Sequence, residues 1–276
     1  MTKITASDVN SLRKETGAGM MDCKNALVEA EGDFAKATDL LRKKGQKIAA
    51  KRGDRDANEG FIIAKTSEDG KTGIIITLNC ETDFVARTED FQNYANEIAD
   101  LAVESRTDSL EGLKSSELNG ASIEEGITTM SGKIGEKIEL AQYEIIGAEQ
   151  VVAYNHPGNR LATIVGLSKT GEAIAEAGKN ISMQIAAMNP VALDKDDVEQ
   201  SIVDREIAVG KEQARESGKP EEILEKIAMG KLNKFFKENT LLNQEYIKDN
   251  KKTIRQYLSD TDQDLTVTTF NRLALS

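Results

Sequence analysis

The chain has one histidine, His156, and two cysteines, Cys23 and Cys80. A thiol nucleophile needs a nearby base, and a structural zinc site needs four Cys or His ligands. The cysteines lie far apart and form no Cys-x-x-Cys, so neither a zinc set nor a disulfide framework is expected. A Cys80–His156 enzyme would have to join the end of one predicted hairpin to the loop of another. A buried, inert Cys80 is the plainer reading. Thr16-Gly-Ala-Gly-Met-Met-Asp-Cys-Lys resembles a phosphate loop only at first sight. No strand precedes it and no Gly-Lys-Ser/Thr follows, so it reads as a helix–helix turn. Met20 and Met21 beside that turn cannot both be core in a small domain, and an exposed methionine makes an adaptable contact surface.

The segment Asn79-Cys-Glu-Thr-Asp-Phe-Val-Ala-Arg is the most informative one. A strand ends there, and Thr82 or Asp83 can cap a new helical turn. Phe84 falls in the first turn. Its position alone, seven residues before Phe91, favours packing inward. The alternative is an aromatic wedge beside a carboxylate, offered to a partner.

The elements that must carry these residues follow from periodicity and charge. The length of 276 residues suits about two domains, taking ~150 residues for each. Lys and Arg number 36 against 47 Asp and Glu, a net charge of −11. Such an acidic whole argues against a surface built throughout for nucleic acid. Residues 1–55 differ, with 12 basic and 8 acidic residues, which marks a separate N-terminal module. Thr5 or Ser7 caps a first helix there, and Gly17 and Gly19 suit its end. A second helix runs from about Met20 to Ala30, and a third follows Asp33 with Phe34, Ala37, Leu40 and Leu41 on one face. The basic residues from Arg42 to Arg55 read as a helix end running into a solvated linker.

Beyond Asn58 the periodicity predicts a hairpin around Asp69-Gly70 and then a helix carrying Phe91, Tyr94, Ala95, Ile98, Leu101 and Ala102. Residues 108–129 are polar and helical in pieces. Val151–Tyr154 and Leu161–Leu167 form a second hairpin around His156, followed by a helix over about 171–188. Hairpin and helix thus occur twice, a faint internal duplication. Residues 194–239 interrupt the order as two helices around Ser217-Gly-Lys-Pro, an antiparallel helical hairpin. A short helix at 251–260 and a last strand from Leu265 complete an α+β chain. No apolar run approaches the roughly 20 residues of a membrane span, and Met1-Thr-Lys-Ile-Thr-Ala opens no export or organelle signal. A reducing cytoplasm is expected.

Several segments together resemble the bacterial elongation factor Ts family. They are Val9-Asn-Ser-Leu-Arg-Lys-Glu-Thr-Gly-Ala-Gly-Met-Met-Asp-Cys-Lys-Asn-Ala-Leu with Gly32-Asp and Leu41-Arg-Lys-Lys-Gly, and Asn79-Cys-Glu-Thr-Asp-Phe-Val-Ala. Ala186-Ala-Met-Asn-Pro and Gly218-Lys-Pro-Glu-Glu-Ile-Leu-Glu-Lys-Ile add to them. The resemblance spans essentially the whole chain. It implies a three-helix ubiquitin-associated-like domain over 1–55, a core subdomain N over 56–145, and a related subdomain C over 146–276 with a helical-hairpin insert at about 194–239. It implies guanine-nucleotide exchange on elongation factor Tu, without bond-making catalysis, cofactor or metal of its own. Thr82, Asp83, Phe84 and Val85 match the motif that wedges into the nucleotide domain of Tu and disturbs its magnesium. Met20 and Met21 match the N-terminal contact, and His156 the second-subdomain contact. No direct contact with nucleic acid or membrane is implied, and the helical hairpin is a candidate for self-association.

The match has departures. Leu161 and Ala162 follow Arg160 where the family commonly has Ile-Gly, and Gln184 stands where many members carry histidine. The sequence stops soon after Phe270-Asn-Arg, where some members add a helical module. Two rival readings stand beside this one: an adaptor using the three helices, and an RNA-binding module using residues 42–55.

Overall fold

The computed structural model describes residues 4–276. The chain opens with three helices, α1 (Ala6–Thr16), α2 (Met20–Glu29) and α3 (Phe34–Arg52). Thr5, not Ser7, caps α1. Its hydroxyl accepts from the Asp8 N–H while Asp8 answers the Thr5 N–H at 2.9 Å, a reciprocal capping box. Gly17 ends the helix in the left-handed conformation, φ 64°. Asp33 caps α3 as its position predicts. Val9, Leu12, Cys23, Ala26, Leu27, Ala30 and Ala37 bury together into a small core shared by the three helices. The N-terminal stretch read for targeting signals begins at Met1–Lys3, outside the described residues.

Of the basic stretch 42–55, the part up to Arg52 is helix, and only residues 53–55 form an exposed connection. Helix α3 continues to Arg52, and its basic residues meet this chain's own acids: Arg42 with Glu125 at 3.2 Å, Lys44 with Asp22 at 2.5 Å, and Arg52 with Glu81 at 2.9 Å. Distant carboxylates supply what local sequence could not reveal.

After the helices come β1 (Glu59–Thr66), β2 (Thr72–Cys80), α4 (Asp83–Ala86), α5 (Glu89–Ser105) and α6 (Leu110–Ser115). A two-residue pair, β3 (Glu117–Leu118) with β4 (Ala121–Ser122), leads into α7 (Ile123–Ile134) and then β5 (Ile138–Gly147). Strand β5 lies beside β2, giving the sheet order β1-β2-β5. Strand β2 is buried along almost its whole length, as a strand covered on both faces must be. Phe91, Ala95, Ile98, Ala99 and Ala102 form the buried stripe of α5.

The remaining elements are β6 (Gln150–Asn155), β7 (Leu161–Leu167), α8 (Glu172–Met188), α9 (Gln200–Glu216), α10 (Glu221–Asn239), β8 (Glu245–Tyr246), β9 (Asp249–Thr253), α11 (Ile254–Thr261) and β10 (Val267–Ala274). Strand β7 pairs antiparallel with β6 and with β10, so the second sheet also has its late strand next to the second hairpin strand. The periodicity predicts no strand in residues 130–150 or 245–253, which hold β5, β8 and β9.

The chain divides into two compact units. The first comprises residues up to Ile63, Ile76–Tyr143 and Leu275–Ser276. The second comprises Ala64–Ile75 and Glu144–Ala274. In the second, Val165, Leu167, Ile181, Ile185, Leu241, Tyr246 and Leu258 belong to one core. Helices α9 and α10 run in opposite directions: Arg215 meets Glu221 at 2.7 Å, Lys211 meets Glu225, and Gly210 faces Ala228. Gln184 is buried. Its amide donates to Gln244 Oε1 and the Glu245 carbonyl, each at 3.1 Å, and accepts from the Ile247 N–H at 2.9 Å. Gln184 therefore joins α8 to the β8–β9 pair.

Candidate functional site

Strand β2 ends at Cys80, and within three residues the chain turns into the single-turn helix α4. Thr82 is the cap, with extended backbone at φ −127° and its hydroxyl toward the Val85 N–H. Four residues cannot sustain a helix by themselves, because nucleation is costly. Side chains hold this one. The Thr88 hydroxyl donates to the Val85 carbonyl at 2.8 Å, and the Gln92 amide to the Ala86 carbonyl at 3.1 Å. Below, Glu136 accepts from the Thr82 N–H at 3.0 Å and from its hydroxyl at 2.7 Å.

Val85 and Ala86 point into the core, and Phe84 is left in water at 81% exposure. Inward packing, favoured by position alone, is overturned. A one-turn helix has one inner and one outer side; Val85 and Ala86 take the inner side and Phe84 the outer. Leaving a phenylalanine in water forgoes about 1.5–3 kcal/mol of burial. Single exposed apolar residues are ordinary, but Phe84 is the most exposed large apolar side chain among the described residues. Asp83 beside it pairs with Arg87 at 2.8 Å and sits in the first turn, where negative charge suits the helix dipole.

Cys80 lies beneath this turn, fully buried, and its thiol donates to the Thr82 carbonyl at 3.1 Å. Burial, with the Glu136 carboxylate adding to it, pushes the thiol pKa up to about 12. It is a neutral packing residue at pH 7, not an activated nucleophile.

Met20 and Met21 are 53% and 61% exposed on the first turn of α2, so neither enters the core. Val28, seven residues after Met21 on the same helix, is exposed as well. The seven-residue spacing that sets it on the face of Met21 is legible in the sequence. His156 stands exposed in the β6–β7 loop, and its Nδ1 meets the Tyr154 hydroxyl at 2.9 Å. The loop is closed by the His156 N–H to the Leu161 carbonyl at 2.9 Å. Next to it, Asn155 bonds both polar groups of the Ala64 backbone, at 2.7 and 2.9 Å. Thr82–Val85 thus form one continuous turn, Met20 and Met21 share another, and His156 belongs to the second unit. Glu81, Glu136 and Arg52, which fix the Phe84 turn, had no signal in the sequence because their partnerships are non-local. No helix among the described residues is long and apolar enough to cross a membrane.

These features define an α+β protein whose foremost surface element is a solvent-facing aromatic on a fastened turn. Comparison with known proteins makes the class specific. Residues 81–276 match the family model described as Elongation factor TS, so Thr82–Val85 lie inside the match. Elongation factor Ts of Christiangramia forsetii is 53% identical over 275 residues, covering 100% of both chains. That of Cytophaga hutchinsonii is 50% identical over 278 residues, again covering 100% of both. That of Porphyromonas gingivalis is 46% identical over 274 residues, covering 99% of this chain and 98% of the other. The chain belongs to the elongation factor Ts family, whose members are elongation factors of protein biosynthesis.

Proposed function

We propose that this protein is the cytoplasmic guanine-nucleotide exchange factor of elongation factor Tu, with Phe84 as the wedge that expels GDP. The observation that carries the reading is the 81% exposure of Phe84 on a turn held from below by Glu136 and from behind by Thr88 and Gln92. A rigid apolar side chain can displace part of a partner without coordinating anything. The magnesium ion in the partner's nucleotide site demands near-ideal octahedral geometry at ~2.0–2.1 Å, so a shift of about 1 Å in its ligands is costly. A loosened ion leaves the diphosphate less neutralised, and GDP departs faster. Asp83, held by Arg87, accompanies the wedge, and Thr82 and Val85 set its base.

Thermodynamically this is negative coupling. The factor binds nucleotide-free Tu more tightly than Tu·GDP, by the same ratio that it weakens GDP. No covalent step is involved, so the protein is an exchange factor and not an enzyme in the bond-making sense. Residues 1–55 serve as the ubiquitin-associated-like docking domain, with Met20 and Met21 as its contacts. Residues 56–145 and 146–276 act as related subdomains N and C; the shared strand order of their sheets supports this. His156 belongs to the contact of subdomain C with another domain of Tu. Helices α9 and α10 form the insert, available for self-association. Neither nucleic acid nor membrane is a direct partner.

The test is release of a fluorescent GDP analogue from purified Tu in excess unlabelled GDP. Substoichiometric wild-type protein is expected to accelerate release, and Phe84→Ala, folded by circular dichroism, to lose the acceleration. Equal acceleration by Phe84→Ala sinks the wedge assignment. A wild-type protein that captures Tu without accelerating release makes it an adaptor instead.

A further inference from the structure

We propose that Glu136 is a positioning residue for exchange, one that sets the angle at which the Phe84 turn meets its partner; this rests on the wedge reading above. Glu136 sits between α7 and β5, 54 residues along the chain from Thr82. Its two carboxylate oxygens take the Thr82 N–H at 3.0 Å and the Thr82 hydroxyl at 2.7 Å. The next residue along returns the gesture. Glu81 accepts the Lys137 N–H at 2.6 Å, so residues 81–82 and 136–137 hold each other through two reciprocal carboxylates.

Each side of this clamp is itself immobilised. The Glu136 carbonyl accepts the Ser131 hydroxyl of α7 at 2.5 Å, and Ile138 begins a sheet strand directly after. Glu81 is gripped from the end of α3 by Arg52, whose Nη1 lies 2.9 Å from each carboxylate oxygen. Hydrogen bonds to ionised acceptors are about twice as strong as neutral ones. Helix α4 has one turn and no stability of its own, so its direction is whatever Thr82 is held to. Elements distant in sequence therefore meet at residues 81–82, where the wedge starts. Without Glu136, Thr82 becomes a hinge and Phe84 swings on it.

The experiment measures GDP release from elongation factor Tu over a range of factor concentrations, for wild type, Glu136→Ala, Glu136→Gln, Phe84→Ala and the Glu136→Ala/Phe84→Ala double variant. A misaligned wedge changes the maximal release rate and not the docking. Glu136→Ala is expected to lower the maximal rate by about 10- to 100-fold, the cost of a displacement of about 1 Å, with its half-saturating concentration unchanged. Glu136→Gln keeps an acceptor for the Thr82 N–H and a donor for its hydroxyl, and is expected to retain most of the rate. In the Phe84→Ala background, Glu136→Ala is expected to add no further loss, because both act through one side chain. Should Glu136→Ala fold poorly, Thr82→Val removes the hydroxyl from the other side of the contact and is expected to show the same loss in maximal rate. Wild-type rates in Glu136→Ala, or losses that multiply in the double variant, overturn the positioning role alone. Wild-type rates in Phe84→Ala overturn the wedge reading and the positioning role with it.

Discussion

The backbone of Gly132 on α7 lies against that of Gly45 on α3, and the contact is lopsided. A β-carbon on Gly132 would run into the Gly45 backbone, whereas one on Gly45 would rest 3.5 Å from the Gly132 Cα, an ordinary contact. Gly132→Ala therefore forces α3 away from α7 and is expected to destabilise the protein by about 1–3 kcal/mol, as overpacking does. Gly45→Ala gains helix propensity, up to about 1 kcal/mol, and is expected to be neutral or stabilising. Urea unfolding of the two variants checks this. Equal effects would mean that the helices do not meet here.

Glu81 makes stability depend on pH in a defined direction. The Lys137 N–H, and after it Arg52, holds the Glu81 carboxyl below its ordinary value of 4.5. A group with a lowered folded pKa contributes stability that is full above the unfolded value and is lost as pH falls through the folded one. Glu81→Gln is expected to lower the urea midpoint at pH 7 and to approach wild type as pH falls from 4.5 through the lowered folded value. A gap that stays constant with pH would exclude the carboxylate as its source.

Neighbours in α4 are expected to separate function from folding. Phe84 makes little contact with its own chain, so Phe84→Ala is expected to change stability by no more than about 0.5 kcal/mol. Val85 is buried, and Val85→Ala is expected to cost about 2 kcal/mol for the lost methyl burial and the cavity. Thermal unfolding distinguishes them. A large loss in Phe84→Ala would mean that Phe84 packs inward in solution.

Both thiols are expected to be silent in the native protein. Cys23 and Cys80 are fully buried, and the Cys80 pKa stands at about 12. A thiol-specific chromogenic reagent at pH 7 is expected to leave both unmodified in buffer and to titrate two thiols in denaturant. Rapid native labelling of Cys80 would revive a nucleophilic role for it.

What the sequence determined by itself was everything whose cause is local. Thr5, Gly17 and Asp33 mark the N-terminal helices because caps act within four residues. The stripe from Phe91 to Ala102 declares α5, and Asp69-Gly70 declares a hairpin. The long motif around Thr82–Val85, with those around Met20 and Ala186, was specific enough to place the chain in its family. The tertiary structure alone decided the rest. Helix α3 runs on past Arg42 to Arg52, and which acids its basic residues meet, Glu125 and Glu81, 83 and 29 residues away along the chain, is set by the fold. Position alone turns Phe84 inward. It faces water because Val85 takes the core side and Glu136, 54 residues further on, holds Thr82 so that it must. Caps and stripes are written in neighbouring letters. The direction of a one-turn helix depends on which distant carboxylate reaches its first residue, and only the folded chain brings the two together.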